Sequence, residues 1–267
     1  MVRPDDPGCS KRRLMQMPLL RRDSMGPNYH ILTFDAGEEI VAFAGQFAMV
    51  RGATWGQSPL LPRPMSLLEA GRRPSILIKI VGEGSRRLAH ASPGEPFDLL
   101  LPLGNRWSPC PAGHRPVLVA GGVGIAPLLF FARELAREGV RPIVLYGGRR
   151  GSDLPLHDEL GRVADVHLLT EDGSRGTEGR VTKLIEPVIR EAGRPVKIYT
   201  CGPDRMMAAV AAISEALGVG CEASLETPMA CGYGVCLGCP VKRRSGGYLY
   251  ACMDGPCVDA RTVAWEP

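Results

Sequence analysis

The chain has no strong charge of either sign. Against 32 Lys and Arg stand 28 Asp and Glu, a net +4 at neutral pH over 267 residues. So mild a balance gives no electrostatic reason to bind nucleic acid or an anionic membrane surface. Long apolar runs are also missing. The longest, from Pro116 to Phe131, is broken by three glycines and by Pro127, and is too short to span a bilayer. No apolar segment accompanies the basic residues Lys11, Arg12, Arg13, Arg21 and Arg22, so the N-terminal stretch is not read as a secretory signal. No internal repeat or low-complexity tract is evident, and an apolar fraction of 45% is that of an ordinary globular protein. These absences together lead us to expect a cytoplasmic location.

What the chain does have is cysteine in a particular pattern. Cys231 and Cys236 are four residues apart, Cys239 follows after two more, and Cys252 after a further twelve. This C-x₄-C-x₂-C…C spacing is the plant-type ligand set of a [2Fe–2S] cluster. A tight loop can supply three thiolates if its backbone folds around the cluster, and a distant strand the fourth. Gly232, Gly234 and Gly238 stand between those cysteines, where a Cβ would obstruct close approach. Two other readings stay open. A Cys₄ set also binds zinc, although zinc ribbons normally carry two C-x₂-C knuckles. A disulfide framework is conceivable for nine cysteines, although such frameworks belong to small secreted domains. Cys257 is the one nearby competitor as a ligand and is read as a bystander.

The rest of the chain divides by pattern. Up to about residue 110 it reads as all-β, with short apolar runs at Tyr29–Phe34, Phe47–Val50 and Ser75–Val81 separated by turn residues, as in a small antiparallel barrel. From Pro116 strands and helices alternate. The expected strands are 116–120, 143–146, 165–169 and 196–200, and the expected helices 126–138, 157–161, 181–191 and 205–217. That alternation implies a doubly wound parallel sheet. The expected division is a disordered tail at 1–13, a β-barrel domain at 14–112, an α/β nucleotide domain at 113–220 and a cluster module at 221–267.

Gly121-Gly122-Val123-Gly124 lies between a strand and a helix, where backbone N–H groups and a helix dipole can face a pyrophosphate. Pro127 fits the first helical turn, where its missing N–H costs nothing. Cys201-Gly202-Pro203 follows the 196–200 strand at the carboxyl edge of the sheet, where α/β folds place ligands. Glu171 and Asp172 follow the third strand. A carboxylate there accepts ribose hydroxyls and repels a 2′-phosphate, which leans toward NAD, whereas Arg149, Arg150 and Arg175 argue the other way. In the barrel, Arg63-Pro64-Met65-Ser66 offers a stiffened guanidinium fork and a hydroxyl to a diphosphate. Gly82-Glu83-Gly84-Ser85 offers backbone donors for a second phosphate contact.

Taken together these motifs resemble the ferredoxin–NADP reductase superfamily, and within it the electron-transfer subunits of NAD-linked dihydroorotate dehydrogenases. The likeness covers about residues 15–260. It implies that FAD is held by Arg63, Pro64, Met65 and Ser66, by Leu77, Ile78 and Lys79, and by Gly84 and Ser85, the last replacing a threonine but keeping its hydroxyl. It implies that Gly121, Gly122, Gly124, Cys201, Gly202 and Pro203 serve NAD, with Cys201 near the nicotinamide and flavin rings, and that Cys231, Cys236, Cys239 and Cys252 hold the [2Fe–2S] cluster. The implied partner is an FMN-containing catalytic subunit, in a heterotetramer serving pyrimidine biosynthesis. No motif here provides a dihydroorotate site or a second flavin site. Related subunits of hydrogenase, sulfite reductase or ferredoxin:NADP reductase complexes, and a redox-sensing module, are the rival readings.

Overall fold

The computed structural model describes residues 11–266. The N-terminal half is a closed antiparallel barrel made of β1 (Arg13–Ser24), β2 (Tyr29–Phe34), β3 (Phe47–Gly52), β4 (Arg63–Glu69), β5 (Ser75–Lys79) and β6 (Pro96–Leu103), with helix α1 (Glu83–His90) between the last two. The strand order is β1-β2-β5-β4-β3-β6. Strand β1 pairs with β6 through its first half and with β2 through its second, and so closes the barrel. Most of the tail expected at 1–13 lies outside the described residues, and Arg13 already begins β1. Helix α1 departs from the all-β expectation. Its opening Glu83-Gly84-Ser85 reads as a turn, yet Leu88 and Ala89 bury an apolar face against the barrel.

The second half follows the expected alternation. It runs β7 (Arg115–Gly121), α2 (Ile125–Arg137), β8 (Ile143–Gly148), α3 (His157–Val163), β9 (Asp165–Thr170), β10 (Thr177–Glu178), α4 (Ile185–Glu191), β11 (Val196–Cys201), α5 (Asp204–Ala216) and β12 (Gly220–Ser224). After it come β13 (Pro240–Lys242), β14 (Tyr248–Tyr250) and β15 (Cys257–Asp259). The sheet order is β10-β9-β8-β7-β11-β12-β15, parallel except for β15, which pairs antiparallel with β12. The sheet therefore runs on into the cysteine-rich segment. The strand order reverses between β7 and β11, which neighbour each other although far apart in sequence. Such a switch point opens a crevice at the carboxyl ends of the strands.

Helix α2 fixes the two halves together. Its residues Leu128, Leu129, Phe130, Phe131 and Ala132 are all buried, because one face packs on the sheet and another on the barrel. A helix with so wide an apolar face is stable only when covered in this way, its charged residues Arg133, Glu134 and Arg137 falling outside the buried set. Each of its large side chains contributes about 1.5–3 kcal/mol by burial. Phe131 stacks edge-on against Tyr199 at 4.8 Å, and Tyr199 against Trp107 at 5.6 Å. Polar ties cross the same junction. The Ala44 N–H donates to Glu134 Oε1 at 3.0 Å, and Tyr29 Oη donates to Asp153 Oδ1 at 3.1 Å.

Candidate functional site

One cavity of about 510 Å³ lies where barrel, sheet and cysteine segment meet, a size suited to a cofactor. Arg63, Pro64, Met65 and Ser66 of β4 line it, with Leu77 and Lys79 of β5 and Gly82–Ser85 at the start of α1. Val123 and Ala126 close it from the α2 side, Ser224–Thr227 from the end of β12, and Met229 and Pro256 from the cysteine segment. Of the barrel residues predicted for FAD, Ile78 is not brought in. Strand alternation turns its side chain into the barrel core, where it is fully buried. Lys79 reaches the cavity, and its ammonium sits 3.5 Å from Asp153 Oδ1.

Arg63 is placed by a glycine. A Cβ on Gly84 would stand 2.9 Å from the Arg63 Cζ and closer still to Nε, so the guanidinium lies flat on the first turn of α1. Fork and helix N-terminus then face the same space, the arrangement a diphosphate needs. Ser85 takes a role the sequence did not suggest. Its Oγ accepts from the Val81 and Gly82 N–H groups at 2.9 and 3.0 Å and donates to the Gly82 carbonyl, so the hydroxyl shapes the loop.

At the switch point the glycine turn after β7 touches the Cys201-Gly202-Pro203 turn. A Cβ on Gly124 would meet the Cys201 carbonyl carbon at 2.5 Å and the Gly202 nitrogen at 2.7 Å. Part of the demand for glycine is thus the packing of one βα turn on the other. Burial pushes the Cys201 thiol well above its ordinary range, so it is a neutral group. Along the sheet edge, Glu171 and Asp172 are exposed. Asp172 is pinned by Ser174, which donates from both Oγ (2.6 Å) and N–H (3.0 Å), and these bonds hold its carboxyl below the usual carboxylate value. Arg175 is bonded to His157.

Two residues that the sequence reading missed lie in the connection from β12 to the cysteines. Glu226 Oε1 is 4.0 Å from Cys201 Sγ. Its carboxyl is pushed up to about 7, first by desolvation in the cleft and then by the negative charge of Asp204. Thr227 Oγ1 is buried without a partner in this same wall. Neither residue belongs to a spaced motif, and only the three-dimensional cavity reveals them.

The four predicted cysteines gather in one neighbourhood as two pairs. Cys239 and Cys252 are buried with their sulfurs 3.3 Å apart, too far for a disulfide. Cys231 lies within hydrogen-bonding reach of Cys236. Burial alone would raise the Cys231 thiol, but N–H groups of Cys236, Tyr233 and Val235 outweigh it and bring the value down to about 6. The Gly238 N–H likewise points at Cys236 Sγ at 3.4 Å. Cys252 is pushed up to about 12 by burial, by its bond to Cys239 and by the charges of Cys239 and Cys231. Cys239 and Cys252 are buried, Cys231 is half-buried and Cys236 is exposed, and four thiolates so close together need positive charge among their sulfurs. Among the described residues no three His, Cys, Asp or Glu groups converge on a single point. Two thiol pairs fit two irons better than one tetrahedral zinc.

The loop that carries them is shaped for closeness. Gly232 (φ +79°) has no room for a Cβ, which would stand 2.9 Å from Met49 Sδ on the barrel. Leu237, between two of the cysteines, also holds a positive φ of 54°. A leucine there costs about 1–2 kcal/mol, the kind of strain that marks a constrained loop. All eight cysteines among the described residues are free. Cys257 is fully buried on β15 against Gly45 and serves as a small apolar side chain.

Barrel, switch-point sheet and paired-thiol loop define a two-domain oxidoreductase of the ferredoxin-reductase type with an added cluster-binding segment. Comparison with known families agrees. Residues 226–264 match the iron–sulfur cluster binding domain of dihydroorotate dehydrogenase B, and residues 118–212 match an oxidoreductase NAD-binding domain. The dihydroorotate dehydrogenase B (NAD(+)) electron transfer subunit of Bacillus caldolyticus is 36% identical over 226 residues, covering 82% of this chain and 86% of that one. Its counterpart in Desulforamulus reducens is 33% identical over 251 residues, covering 91% and 95%. Among solved structures, an NADH-dependent reduced ferredoxin-NADP oxidoreductase aligns with a TM-score of 0.83 at 26% identity, over 93% of this chain and 90% of that chain. The chain belongs to the family of dihydroorotate dehydrogenase B electron transfer subunits.

Proposed function

We propose that this subunit carries electrons from an FMN-containing dihydroorotate dehydrogenase subunit, by way of a [2Fe–2S] cluster and FAD, to NAD⁺ in pyrimidine biosynthesis. The observation that carries the reading is a cavity walled by all three parts of the chain, with the cysteine segment contributing Met229 and Pro256. When bound, the cluster supplies one-electron transfer and the flavin couples it to hydride chemistry. The protein's own part is placement. Arg63 and the N–H groups opening α1 take the diphosphate of FAD, Ser66 offers a hydroxyl, and Leu77 supplies an apolar wall. The turns at Gly121–Gly124 and Cys201–Pro203 bring the nucleotide to the same cavity from the sheet edge. Cys231, Cys236, Cys239 and Cys252 ligate the cluster as two pairs.

The partner docks beside the cluster. Tyr233, Val235 and Leu237 are 43%, 73% and 54% exposed around the cysteines and offer an apolar docking face there. Met229, just ahead of the cysteines, lines the cavity. The assembly we infer is a heterotetramer of two such subunits with two catalytic subunits. The cytoplasm, where thiols stay reduced, is the compartment we assign; no helix among the described residues is long and apolar enough to cross a membrane. Two assays test the function. The isolated chain is expected to pass electrons from NADH to an artificial acceptor but not to oxidise dihydroorotate. With its partner it is expected to couple dihydroorotate oxidation to NAD⁺ reduction. Dihydroorotate oxidation by the chain alone would contradict the two-subunit reading, and failure to accept electrons from NADH would favour a sensing module.

A further inference from the structure

We propose that Asn105 is a positioning residue for electron transfer: it fixes the stretch of chain that joins a cluster ligand to the wall of the flavin cavity. This role rests on the reading above in which Cys252 ligates the cluster, and adds to it the side chain that holds Cys252 in register with the cavity. Two short stretches run from cysteines to the cavity wall. One leads from Met229 to Cys231, the other from Cys252 to Pro256. The second is tied to the barrel by Asn105.

Asn105 follows β6 and makes four hydrogen bonds to that stretch and its end. Its backbone N–H donates to the Gly255 carbonyl at 2.7 Å. Its side-chain Nδ2 donates to the Cys257 carbonyl at 2.8 Å and to the Asp254 carbonyl at 3.4 Å, and its Oδ1 accepts from the Cys257 N–H at 2.9 Å. The orientation of the amide is fixed by its partners, because an N–H only donates and a carbonyl only accepts. Asparagine often bonds to its own turn. Here the side-chain partners are 149 and 152 residues away, so the bonds join two separate parts of the fold.

Both ends of this tie are stiff. On the barrel side the buried Gln46 donates from Nε2 to the Gly104 carbonyl at 3.1 Å, and the Trp107 N–H donates to the Ala44 carbonyl at 3.1 Å. A Cβ on Gly104 would stand 2.5 Å from Pro256 Cδ, so the end of β6 lies directly against the cavity-lining proline. On the cluster side, the N–H groups of Met253 and Asp254 both donate to the Tyr250 carbonyl at 2.8 Å, and the Asp254 carboxylate accepts from the Tyr250 N–H at 2.8 Å. Cys252 therefore rides in a closed turn. The Ala251 N–H donates to the Cys239 carbonyl at 3.0 Å and links that turn to a second cysteine. A shift at Asp254 or Gly255 is thus carried to Cys252. Partners behind a metal's ligands set the ligands' placement, and their loss typically costs about 10–100-fold in metal affinity or activity. The transfer itself moves one electron between cluster and flavin, oxidising one and reducing the other, and no bond is made or broken.

The test uses the complete chain, purified anaerobically with FAD and cluster and photoreduced part-way, so that flavin radical and reduced cluster coexist. The microwave power that half-saturates the radical's paramagnetic resonance signal reads its distance from the cluster, since a nearby paramagnet speeds relaxation. Asn105→Ala is expected to keep FAD, to half-saturate at lower power than wild type, and to slow cluster reduction by NADH about tenfold in stopped flow. Asn105→Asp keeps the acceptor for the Cys257 N–H and loses both donations, and is expected to fall between. Should Asn105→Ala lose its cluster, Asn105→Asp alone decides. Half-saturation at the wild-type power or above in a loaded variant, even with a lowered melting temperature, would leave Asn105 a structural role only and overturn the proposal. A wild-type radical that saturates like that of Cys252→Ser would instead overturn the cluster reading on which it rests.

Discussion

Replacing Gly84 by alanine separates flavin binding from folding. Gly84 sits in the first turn of α1 with ordinary helical geometry, so alanine suits the helix and favours it by up to about 1 kcal/mol. The new methyl, however, would stand 2.9 Å from Arg63 Cζ and 3.0 Å from Nη2, against ordinary contact from 3.4 Å. The guanidinium must retreat by roughly 0.5–1 Å, enough to misalign a bidentate fork. Charge-assisted hydrogen bonds of this kind contribute about 1.5–3 kcal/mol, so FAD should bind about ten- to a hundredfold more weakly. Fluorescence titration of flavin-depleted protein gives the affinity, and thermal unfolding of the same depleted protein gives the stability. The expected signature is weak FAD binding with an unchanged or slightly raised melting temperature, and Arg63→Ala should match it in affinity. Gly84→Ala protein that binds FAD as tightly as wild type would refute the placement of Arg63 on the diphosphate.

Other substitutions probe other parts. Cys252→Ser should lose iron and sulfide while keeping FAD, whereas Cys257→Val should keep both; metal analysis separates a ligand from a packing residue. Gly124→Ala forces a methyl against the backbone of Cys201 and Gly202 and should cost about 1–3 kcal/mol of stability, read by urea unfolding, and weaken NAD(H) binding with it. Glu226 gives a pH dependence. Its folded value, about 7, lies above its ordinary 4.5, so the folded state holds the proton more tightly. Cofactor-free protein should therefore lose stability as pH rises from about 4.5 to about 7, and Glu226→Gln should flatten that part of the profile. A wild-type curve that rises across this window would contradict the raised value of the carboxyl.

The sheet was legible because its strands are buried on both faces. Pro116–Ala120 is apolar without interruption, Val196–Thr200 is broken only by Lys197 before its closing threonine, and turn residues and amphipathic helices punctuate such runs. The cluster binding segment was legible because its cysteines keep the spacing along the chain that a metal cluster calls for. Strand β1 was harder to see: Pro18, Arg21, Arg22 and Asp23 break its apolar pattern, and it belongs to two partner strands in turn. Helix α1 hid behind a glycine-rich opening that reads in sequence as a turn. A hydroxyl's partner is invisible in sequence: Ser85 lines the cavity and its oxygen also bonds to its own loop. Glu226 and Thr227 carried no signal at all, since their meaning lies in which cavity the chain folds them into.

Low-temperature electron paramagnetic resonance of the complete chain, purified anaerobically and reduced with NADH, tests the central claim most directly. The account predicts the signal of a reduced [2Fe–2S] cluster, appearing as flavin absorbance is bleached and absent in Cys252→Ser. Protein that contains FAD and is bleached by NADH but yields no such signal, or that holds zinc in place of iron, would contradict it.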